Sequence, residues 1–250
     1  MELEMPLGHE DGWTIPADAP FYPPLPAYYR HVRFQFVFFR ADPSAVASLL
    51  PAPLEPDSDG LCLACGLTVP FCSHYGAFDE AFVQLKCSFR GQTGWYMSHV
   101  LHTGPAGIAA GREIYGTPKV FSGITVEQDE RVMRTTARMA GLPVVTVAST
   151  MEEPCSPEEM EAIAPSWRLK VIPRADAPGP AIKQLIDGSV AKKEAEVHAS
   201  FRGAGTVQFA PNPLCDLTPL KPKALVSAYY QETSFAEGYA KIAHDYLAEE

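Results

Sequence analysis

The most informative stretch of this chain runs Gly111-Arg112-Glu113-Ile114-Tyr115-Gly116-Thr117-Pro118-Lys119-Val120, because it places a lysine at a forced bend. Gly116 and Pro118 end a short segment rich in alanine and glycine, and Pro118 disfavours a helical conformation for its predecessor. Lys119 then opens the run Val-Phe-Ser-Gly-Ile-Thr-Val, which is typical of a strand. The pattern therefore predicts a lysine at the first position of a strand, among mostly apolar neighbours.

The residues alone leave two interpretations of Lys119 open. The ordinary one is a solvated lysine whose ammonium reaches water, since lysine is rarely buried. The other is a lysine held in a dry pocket. A lysine there loses solvation, its pKa falls, and the free amine becomes a nucleophile for a carbonyl carbon.

Length and charge narrow the class of protein. The chain has 250 residues, of which 46% are apolar, and we expect one β-rich domain over residues 1–250. The formal net charge of −10 argues against nucleic acid or an anionic membrane as the main partner. An acidic surface can still surround a local cationic pocket, so a small anionic substrate remains compatible with this composition.

The N-terminus and the cysteines indicate a cytoplasmic protein with reduced thiols. Residues 1–6 are acidic and lack the apolar core of a secretory signal, and no apolar run is long enough for a membrane helix. Six cysteines are too sparse for a disulfide scaffold. Cys62 and Cys65 are three apart, as are His99 and His102, and strand positions three apart point to opposite faces. We therefore predict structural roles for both pairs and no metal site.

Secondary-structure signals alternate along the chain with turn residues between them. Residues 1–31 are rich in proline and aromatics and predict an arm packed on a surface, of the kind that often contacts another subunit. A strand is expected over 32–39, with Val32, Phe34, Phe36 and Phe38 on one face. A helix follows over 42–50, capped by Asp42 with Pro43 at its first position and closed by Pro51.

The remaining pattern is mostly strands. We expect strands near 61–70, 80–89, 95–102, 119–127, 130–140, 142–150, 194–201 and 205–210. A short helix opens at Ser156, and Phe235–Leu247 has the spacing of an amphipathic C-terminal helix. This predicts an α+β fold: a mostly antiparallel β-sheet curled into a barrel-like core, with a few appended helices.

Motifs for nucleotide binding and serine catalysis are missing from the sequence. The glycine-rich run Gly104–Gly111 lacks the spacing GxGxxG and a GK[ST] ending. No GxSxG element occurs either. Lys119 is therefore left as the leading catalytic candidate.

Several landmarks together resemble one family. The segment Gly111–Lys119 resembles the signature around the catalytic lysine of acetoacetate decarboxylase and its superfamily. The likeness covers roughly residues 30 to 248. The order and spacing of its landmarks support the assignment more strongly than any single motif does. Its further landmarks are Phe39–Asp42, Leu50–Glu55, Leu169–Pro173, Pro213–Leu217 and Asp245–Leu247.

The resemblance implies a cofactor-free lyase in which Lys119 forms a Schiff base with a small keto acid. The iminium nitrogen is an electron sink, so carbon–carbon chemistry next to it avoids a free carbanion. Acetoacetate decarboxylase is itself the known example of such an activated lysine, so this activation is implied by likeness. The resemblance and the N-terminal arm also suggest a homo-oligomer.

The family's site residues carry over only in part. Glu80 falls on one catalytic carboxylate, Tyr115 is expected in the substrate pocket, and Arg33, or Arg30, could supply a substrate-binding arginine that otherwise lands near Val32. Two positions depart from the pattern. Val120 stands where the decarboxylases have a second lysine, and Cys65 stands where they have a second glutamate.

These departures leave the reaction open. A thiol cannot replace a carboxylate that acts on the substrate carboxylate during decarboxylation. Superfamily members with altered pockets include aldolase-dehydratases that condense pyruvate with aldehydes through the same iminium. A third possibility is a non-catalytic binding protein for an apolar carbonyl ligand, which Val120 and Cys65 favour because both remove charge from the expected pocket.

Overall fold

The computed structural model describes residues 13–248, and β-strands make up most of that range. The strands are β1 (Ala27–Arg40), β2 (Glu55–Pro56), β3 (Leu61–Val69), β4 (Phe71–Cys72), β5 (Phe78–Phe89), β6 (Gln92–His102), β7 (Lys119–Phe121), β8 (Gly123–Asp129), β9 (Val132–Met139), β10 (Leu142–Thr150), β11 (Glu153–Pro154), β12 (Ser166–Pro173), β13 (Pro180–Asp187), β14 (Lys192–Gly203), β15 (Gly205–Phe209), β16 (Ala224–Glu237) and β17 (Lys241–Asp245).

The helices are few and short. They are α1 (Pro43–Ser48), α2 (Pro105–Ala110) with a π-helical turn directly after it (Gly111–Tyr115), and 3-10 turns at Pro157–Glu159, Ser189–Ala191 and Thr218–Leu220. In the part of the chain that the structure describes, no helix has the length and apolarity needed to span a membrane.

Two sheets organise the molecule. The larger one has the order β11-β14-β16-β1-β3-β5-β6-β12-β13-β17, and the smaller one the order β15-β10-β9-β8. Nearly all neighbours are antiparallel, and β6 pairs in parallel with both β12 and β7. The expected α+β fold with a mostly antiparallel sheet is confirmed. The larger sheet has β11 at one end and β17 at the other, so it is an open sheet. This corrects the expectation that the sheet curls into a barrel-like core.

The two faces of the larger sheet have different neighbours because side chains alternate along each strand. Val37 and Phe39 of β1 belong to a core cluster shared with Val145 and Val147 of the smaller sheet. Phe36 and Phe38 belong to a second cluster on the opposite face. One face therefore packs on the smaller sheet, and the other is free to form a cavity.

Gly66 of β3 permits the close approach of the two sheets. A Cβ atom at this position would lie 2.2 Å from Oγ1 of Thr135 in β9. The threonine hydroxyl in turn donates a hydrogen bond to Gln35 Oε1 at 3.2 Å. Glycine is required here for space, because any side chain would push the smaller sheet away.

Local capping signals were predicted well. Asp42 accepts a hydrogen bond from the backbone N–H of Ser44 at 3.0 Å, and Pro43 is the first residue of α1. The helix ends at Ser48, two residues before the predicted end. Ser156 and Glu159 form a capping box at the predicted short helix, which is a single 3-10 turn.

The predicted C-terminal helix is wrong. Residues 224–237 form the long strand β16, and residues 241–245 form β17, which pairs with β13. Tyr239 and Ile242 are only three residues apart. So short a spacing cannot distinguish an amphipathic helix from an edge strand. The predicted strand over 119–127 is also divided: β7 joins the larger sheet, whereas β8 joins the smaller one.

The described part of the N-terminal arm packs on its own chain. Tyr22 is buried and its hydroxyl donates to Glu113, while the Trp13 ring meets Tyr239 edge-on with centroids 6.1 Å apart. Residues 1–12 lie outside the described residues. They include the rest of the predicted arm and the acidic segment that lacks the pattern of a secretory signal.

Candidate active site

A cavity of about 420 Å³ opens on the face of the larger sheet that is turned away from the smaller sheet. Its walls come mainly from β1, β5 and β16, and α2 with its π-helical turn contributes Gly107, Gly111 and Tyr115. Eight aromatic side chains form much of its apolar wall: Tyr29, Phe34, Phe36, Tyr75, Phe78, Phe82, Tyr115 and Phe235. A few charged side chains project into this otherwise apolar space.

Lys119 is one of the charged residues that line the cavity, and it opens β7 as predicted. Gly111 makes room for its side chain: a Cβ there would lie 2.8 Å from Lys119 Cδ and 2.9 Å from Cε. Arg112 donates to the backbone oxygen of Lys119 at 3.2 Å. Gly116 has a left-handed φ of +69°, and a Cβ there would meet the backbone of Lys170. The two glycines of this segment therefore help to set the position of the lysine.

Glu80 of β5 is the partner of Lys119. Lys119 Nζ lies 2.9 Å from Glu80 Oε2, and the two side chains are only 14% and 10% exposed. Nζ also lies 5.6 Å from the centre of the Phe78 ring. The structure thus brings together the two predicted catalytic residues. Both are largely buried beside apolar side chains, so water screens their interaction less than on an open surface.

His102 completes this group from β6. Its Nδ1 accepts the backbone N–H of Gly104 at 2.8 Å, and its ring stacks on Phe78 at 4.3 Å. Burial, with a smaller effect of the Lys119 charge, lowers the pKa of His102 to about 4. The imidazole is therefore neutral near pH 7. Because Nδ1 is the acceptor, its proton is on Nε2, which lies 3.7 Å from Glu80 Oε2.

Tyr115 lines the cavity as expected, but its hydroxyl is already engaged. It donates to the backbone oxygen of Gly238 at 2.7 Å. Burial is the main cause that raises the pKa of Tyr115 far above its ordinary value, so the phenol stays protonated. The ring therefore forms part of the wall, and the hydroxyl ties the π-helical turn to the chain after β16.

Arg33 lies away from the cavity, contrary to its predicted substrate-binding role. Its Nη1 donates to Gln128 Oε1 of the smaller sheet at 3.2 Å, whereas its neighbour Val32 lines the cavity. Arg30 packs over the Tyr28 ring and donates to the backbone oxygen of Tyr29. The alternation of side chains along β1 explains both placements, because the residue next to a cavity-facing one points to the other face.

The two departures from the family pattern do not line the cavity. Cys65 is fully buried in the core, where burial raises the pKa of its thiol far above the ordinary value. Val120 is 37% exposed on the outside of β7. The valine therefore removes no charge from the cavity itself, which weakens the argument that it favours a binding protein.

The paired cysteines and histidines are arranged as the strand rule predicts. Cys62 and Cys65 belong to different core clusters on opposite faces of the larger sheet. Among residues 13–248, no group of three or more histidine, cysteine, aspartate or glutamate side chains could hold a metal ion.

Comparison with known proteins agrees with this geometry. The family model for acetoacetate decarboxylase matches residues 4–247 of the sequence. The chain belongs to the acetoacetate decarboxylase family. Acetoacetate decarboxylase 1 of Bradyrhizobium diazoefficiens is 25% identical over 244 residues, which cover 94% of each protein. The chain is therefore a member of an enzyme family along nearly its whole length.

Solved structures show the same fold. An acetoacetate decarboxylase from Legionella pneumophila superposes with a TM-score of 0.86 at 21% identity, over 99% of this chain and 100% of that one. The enduracididine biosynthesis enzyme MppR, in complex with pyruvate, superposes with a TM-score of 0.81 at 19% identity, over 94% of this chain and 98% of that one. The acetoacetate decarboxylase fold thus accommodates enzymes with different names and ligands.

Two residues of the site escaped the sequence reasoning. The sequence predicts a structural role for His102, whereas its place beside Glu80 follows from strand pairing that no local pattern indicates. Arg168 of β12 also lines the cavity. Its only sequence signal is its position next to the family landmark Leu169–Pro173, which does not reveal the direction of its side chain.

Proposed function

We propose that this member of the acetoacetate decarboxylase family is a cofactor-free lyase that forms a Schiff base between Lys119 and a small keto acid. The observation that carries the proposal is the pairing of Lys119 with Glu80 at 2.9 Å in a largely apolar cavity. A nucleophile and a proton acceptor within hydrogen-bond reach are what imine formation requires.

The chemistry uses both groups in turn. The Lys119 ammonium gives a proton to Glu80, and the amine adds to the ketone carbon. The nitrogen of the adduct gives one proton to the former carbonyl oxygen, and the Glu80 carboxylic acid gives it a second. The oxygen then leaves as water, and an iminium and the Glu80 carboxylate remain. A neutral His102 beside Glu80 contributes no second positive charge to the pair.

The iminium then has two possible fates. With a 3-keto acid, the electron pair of the carbon–carboxylate bond moves towards nitrogen, carbon dioxide leaves and an enamine forms. With a 2-keto acid such as pyruvate, loss of a proton from the adjacent carbon to Glu80 gives the enamine instead. Protonation or attack on an aldehyde follows, and hydrolysis by water frees Lys119.

The size of the cavity supports a runner-up function, which is that of a pyruvate aldolase-dehydratase. Such an enzyme would use the second of these two routes. A volume of about 420 Å³, lined by eight aromatic side chains, is in the range of pockets for ligands much larger than a four-carbon keto acid. An aromatic aldehyde would fill the apolar space that pyruvate leaves. The pyruvate complex of MppR is a reason to include this keto acid among the compounds tested.

Borohydride trapping tests the proposal. The protein is incubated with pyruvate or acetoacetate, reduced, digested and analysed by mass spectrometry. We expect an adduct on Lys119, its loss in Lys119→Ala, and its retention in Lys183→Ala, whose ammonium packs over Tyr246 outside the cavity. Absence of an adduct with every keto acid, or an adduct only on another lysine, would refute the proposal.

A binding protein for an apolar carbonyl ligand is the alternative of a different class. It predicts equal ligand affinity in the native protein and in Lys119→Ala, with no turnover in either. Against it stands the energetic cost of holding an ammonium and a carboxylate in an apolar cavity, which a purely apolar binding site does not need.

Assembly and location remain predictions. The homo-oligomer expected from the arm is compatible with the exposed Phe21 and Ile15 of that arm, which no other described part of the chain covers. Light scattering on the purified protein checks the oligomeric state, and fractionation of cells checks the expected cytoplasmic location.

A further inference from the structure

A second cationic group faces the same cavity from β12. Arg168 is half-buried, and its Nε and Nη1 atoms are inaccessible to solvent and have no hydrogen-bond partner among the described residues. None of the ion pairs formed within residues 13–248 includes its guanidinium either. Buried donors are almost always satisfied, so an unpaired guanidinium at a cavity wall points to a ligand that completes it.

Gly188 packs directly against the guanidinium of Arg168 and leaves no room for a side chain of its own. A Cβ at position 188 would lie 1.1 Å from Arg168 Nη1 and 2.3 Å from its Cζ. The backbone at Gly188 has φ −85° and ψ −11°, a conformation that any residue adopts. Glycine is therefore needed for space rather than for backbone freedom, and the space is occupied by the charged end of Arg168.

The charge of the cavity is consistent with an anionic ligand. Three cationic side chains and two carboxylates line it, so one cation is in excess within a chain whose net charge is −10. Glu80 is paired with Lys119, and Glu237 accepts a hydrogen bond from Tyr29 at 2.9 Å. Neither carboxylate is within ion-pair distance of Arg168.

Polar atoms next to Arg168 extend the site. Gln84 lines the cavity, and its Nε2 donates to Ser166 Oγ at 2.8 Å, which leaves its buried Oε1 without a partner among the described residues. Ser189, directly after Gly188, lines the cavity as well. Arg168 thus shares the cavity lining with polar side chains that have free hydrogen-bonding capacity among the described residues.

We propose that Arg168, seated against Gly188, binds the carboxylate of the keto acid whose ketone reacts with Lys119. The inference rests on the proposed Schiff-base function and replaces the predicted role of Arg33. A planar guanidinium pairs with a carboxylate through parallel N–H···O bonds, which fix orientation as well as charge. Arg168 therefore selects carbonyl compounds that carry a free carboxylate over neutral ketones.

The test compares pyruvate with its neutral methyl ester in borohydride trapping at Lys119. Arg168→Met should reduce the trapping efficiency with pyruvate about 100-fold and change that with methyl pyruvate less than about threefold, because only pyruvate loses an ionic partner. Gly188→Ala, which keeps the charge and displaces the guanidinium, should also reduce trapping with pyruvate selectively. Arg174→Met, whose guanidinium pairs with Asp176 on the surface, is the matched control and should behave as the native protein.

The outcomes separate the two proposals. Equal losses with both compounds would show a structural role and overturn the inference, as would an unchanged preference for pyruvate in Arg168→Met. In both cases an adduct in the native protein would leave the Schiff-base function standing. Lack of an adduct in the native protein with either compound would refute both. Selective loss in Lys192→Met instead would assign the carboxylate to the other unassigned cation and overturn the role of Arg168.

Discussion

Glu80 of β5 and His102 of β6 are direct cross-strand partners, and this pairing depends on one additional residue in β6. Val83 pairs with His99 and Gln84 with Met97, so Ser98 is a bulge with no partner of its own. Without it, the register would place Leu101 opposite Glu80. A bulge shifts every later side chain of its strand, and here it places the His102 imidazole beside the Glu80 carboxylate.

The depressed pKa of His102 predicts a pH-dependent stability. The folded-state pKa is about 4 and the ordinary value is 6.5, so between these the unfolded chain binds more protons. The free energy of unfolding should therefore fall by about 3 kcal/mol as pH drops from about 6.5 to about 4. His102→Asn, whose side-chain oxygen can still accept the Gly104 N–H, should lose this part of the slope. Urea unfolding at several pH values measures it, and parallel slopes for both proteins would contradict the assignment.

Removal of the carboxylate charge at Glu80 should slow imine formation. Glu80→Gln keeps the shape but leaves the Lys119 proton without an acceptor, so we expect the trapping rate to fall about 10²- to 10⁴-fold. Glu80→Asp, which keeps the charge on a shorter side chain, should retain more of the rate than Glu80→Gln. A Glu80→Gln variant that traps keto acids at the native rate would remove Glu80 from the mechanism.

A methyl group at Gly111 should misplace Lys119, the proposed nucleophile. The backbone there has φ −59°, which suits alanine, but the new Cβ would contact the Lys119 side chain at 2.8 Å. We expect the rate of adduct formation to fall about 10- to 100-fold, since small misplacements of reacting groups are costly. Gly123→Ala is the control, because the nearest atom to its Cβ is 4.0 Å away. Equal activity of the two variants would argue against close packing at Gly111.

A methyl group at Gly66 should destabilise the contact between the sheets without touching the cavity. Its Cβ would overlap the Thr135 side chain, and we expect a loss of about 1–3 kcal/mol in the free energy of unfolding. The double variant Gly66→Ala/Thr135→Gly removes the whole overlapping side chain, including its Cβ at 2.4 Å, and should recover part of that loss. Guanidinium unfolding of the single and double variants checks the coupling; strictly additive losses would be inconsistent with direct contact.

The residues that the sequence predicted correctly carry local signals. Asp42 and Pro43 mark a helix start by chemistry confined to a few residues. Lys119 is marked by the glycine and proline before it, and its interpretation as a nucleophile came from family resemblance. The assignment of Glu80 came from the same alignment, and the structure places it beside Lys119.

The residues that escaped prediction depend on distant pairing. Arg168 reaches the cavity because β12 joins β6 in parallel through only two residue pairs, beginning with Ser166 opposite Trp95. His102 depends on the Ser98 bulge. Arg33 was misplaced by a shift of one residue, and in a strand such a shift exchanges the two faces of the sheet.

The pairing of β1 with β16 has a consequence for how the protein is made. Ala27 lies opposite Glu237, so the two strands that supply Phe36 and Phe235 to the cavity come from opposite ends of the chain. A nascent chain whose β16 is still inside the ribosome already contains Lys119. It lacks the part of the cavity wall that β16 supplies. Closing so long a loop before any contact forms slows folding, and sheets with distant partners fold more slowly than helical proteins of similar size. The cavity around Lys119 therefore cannot be complete before β16 has been synthesised.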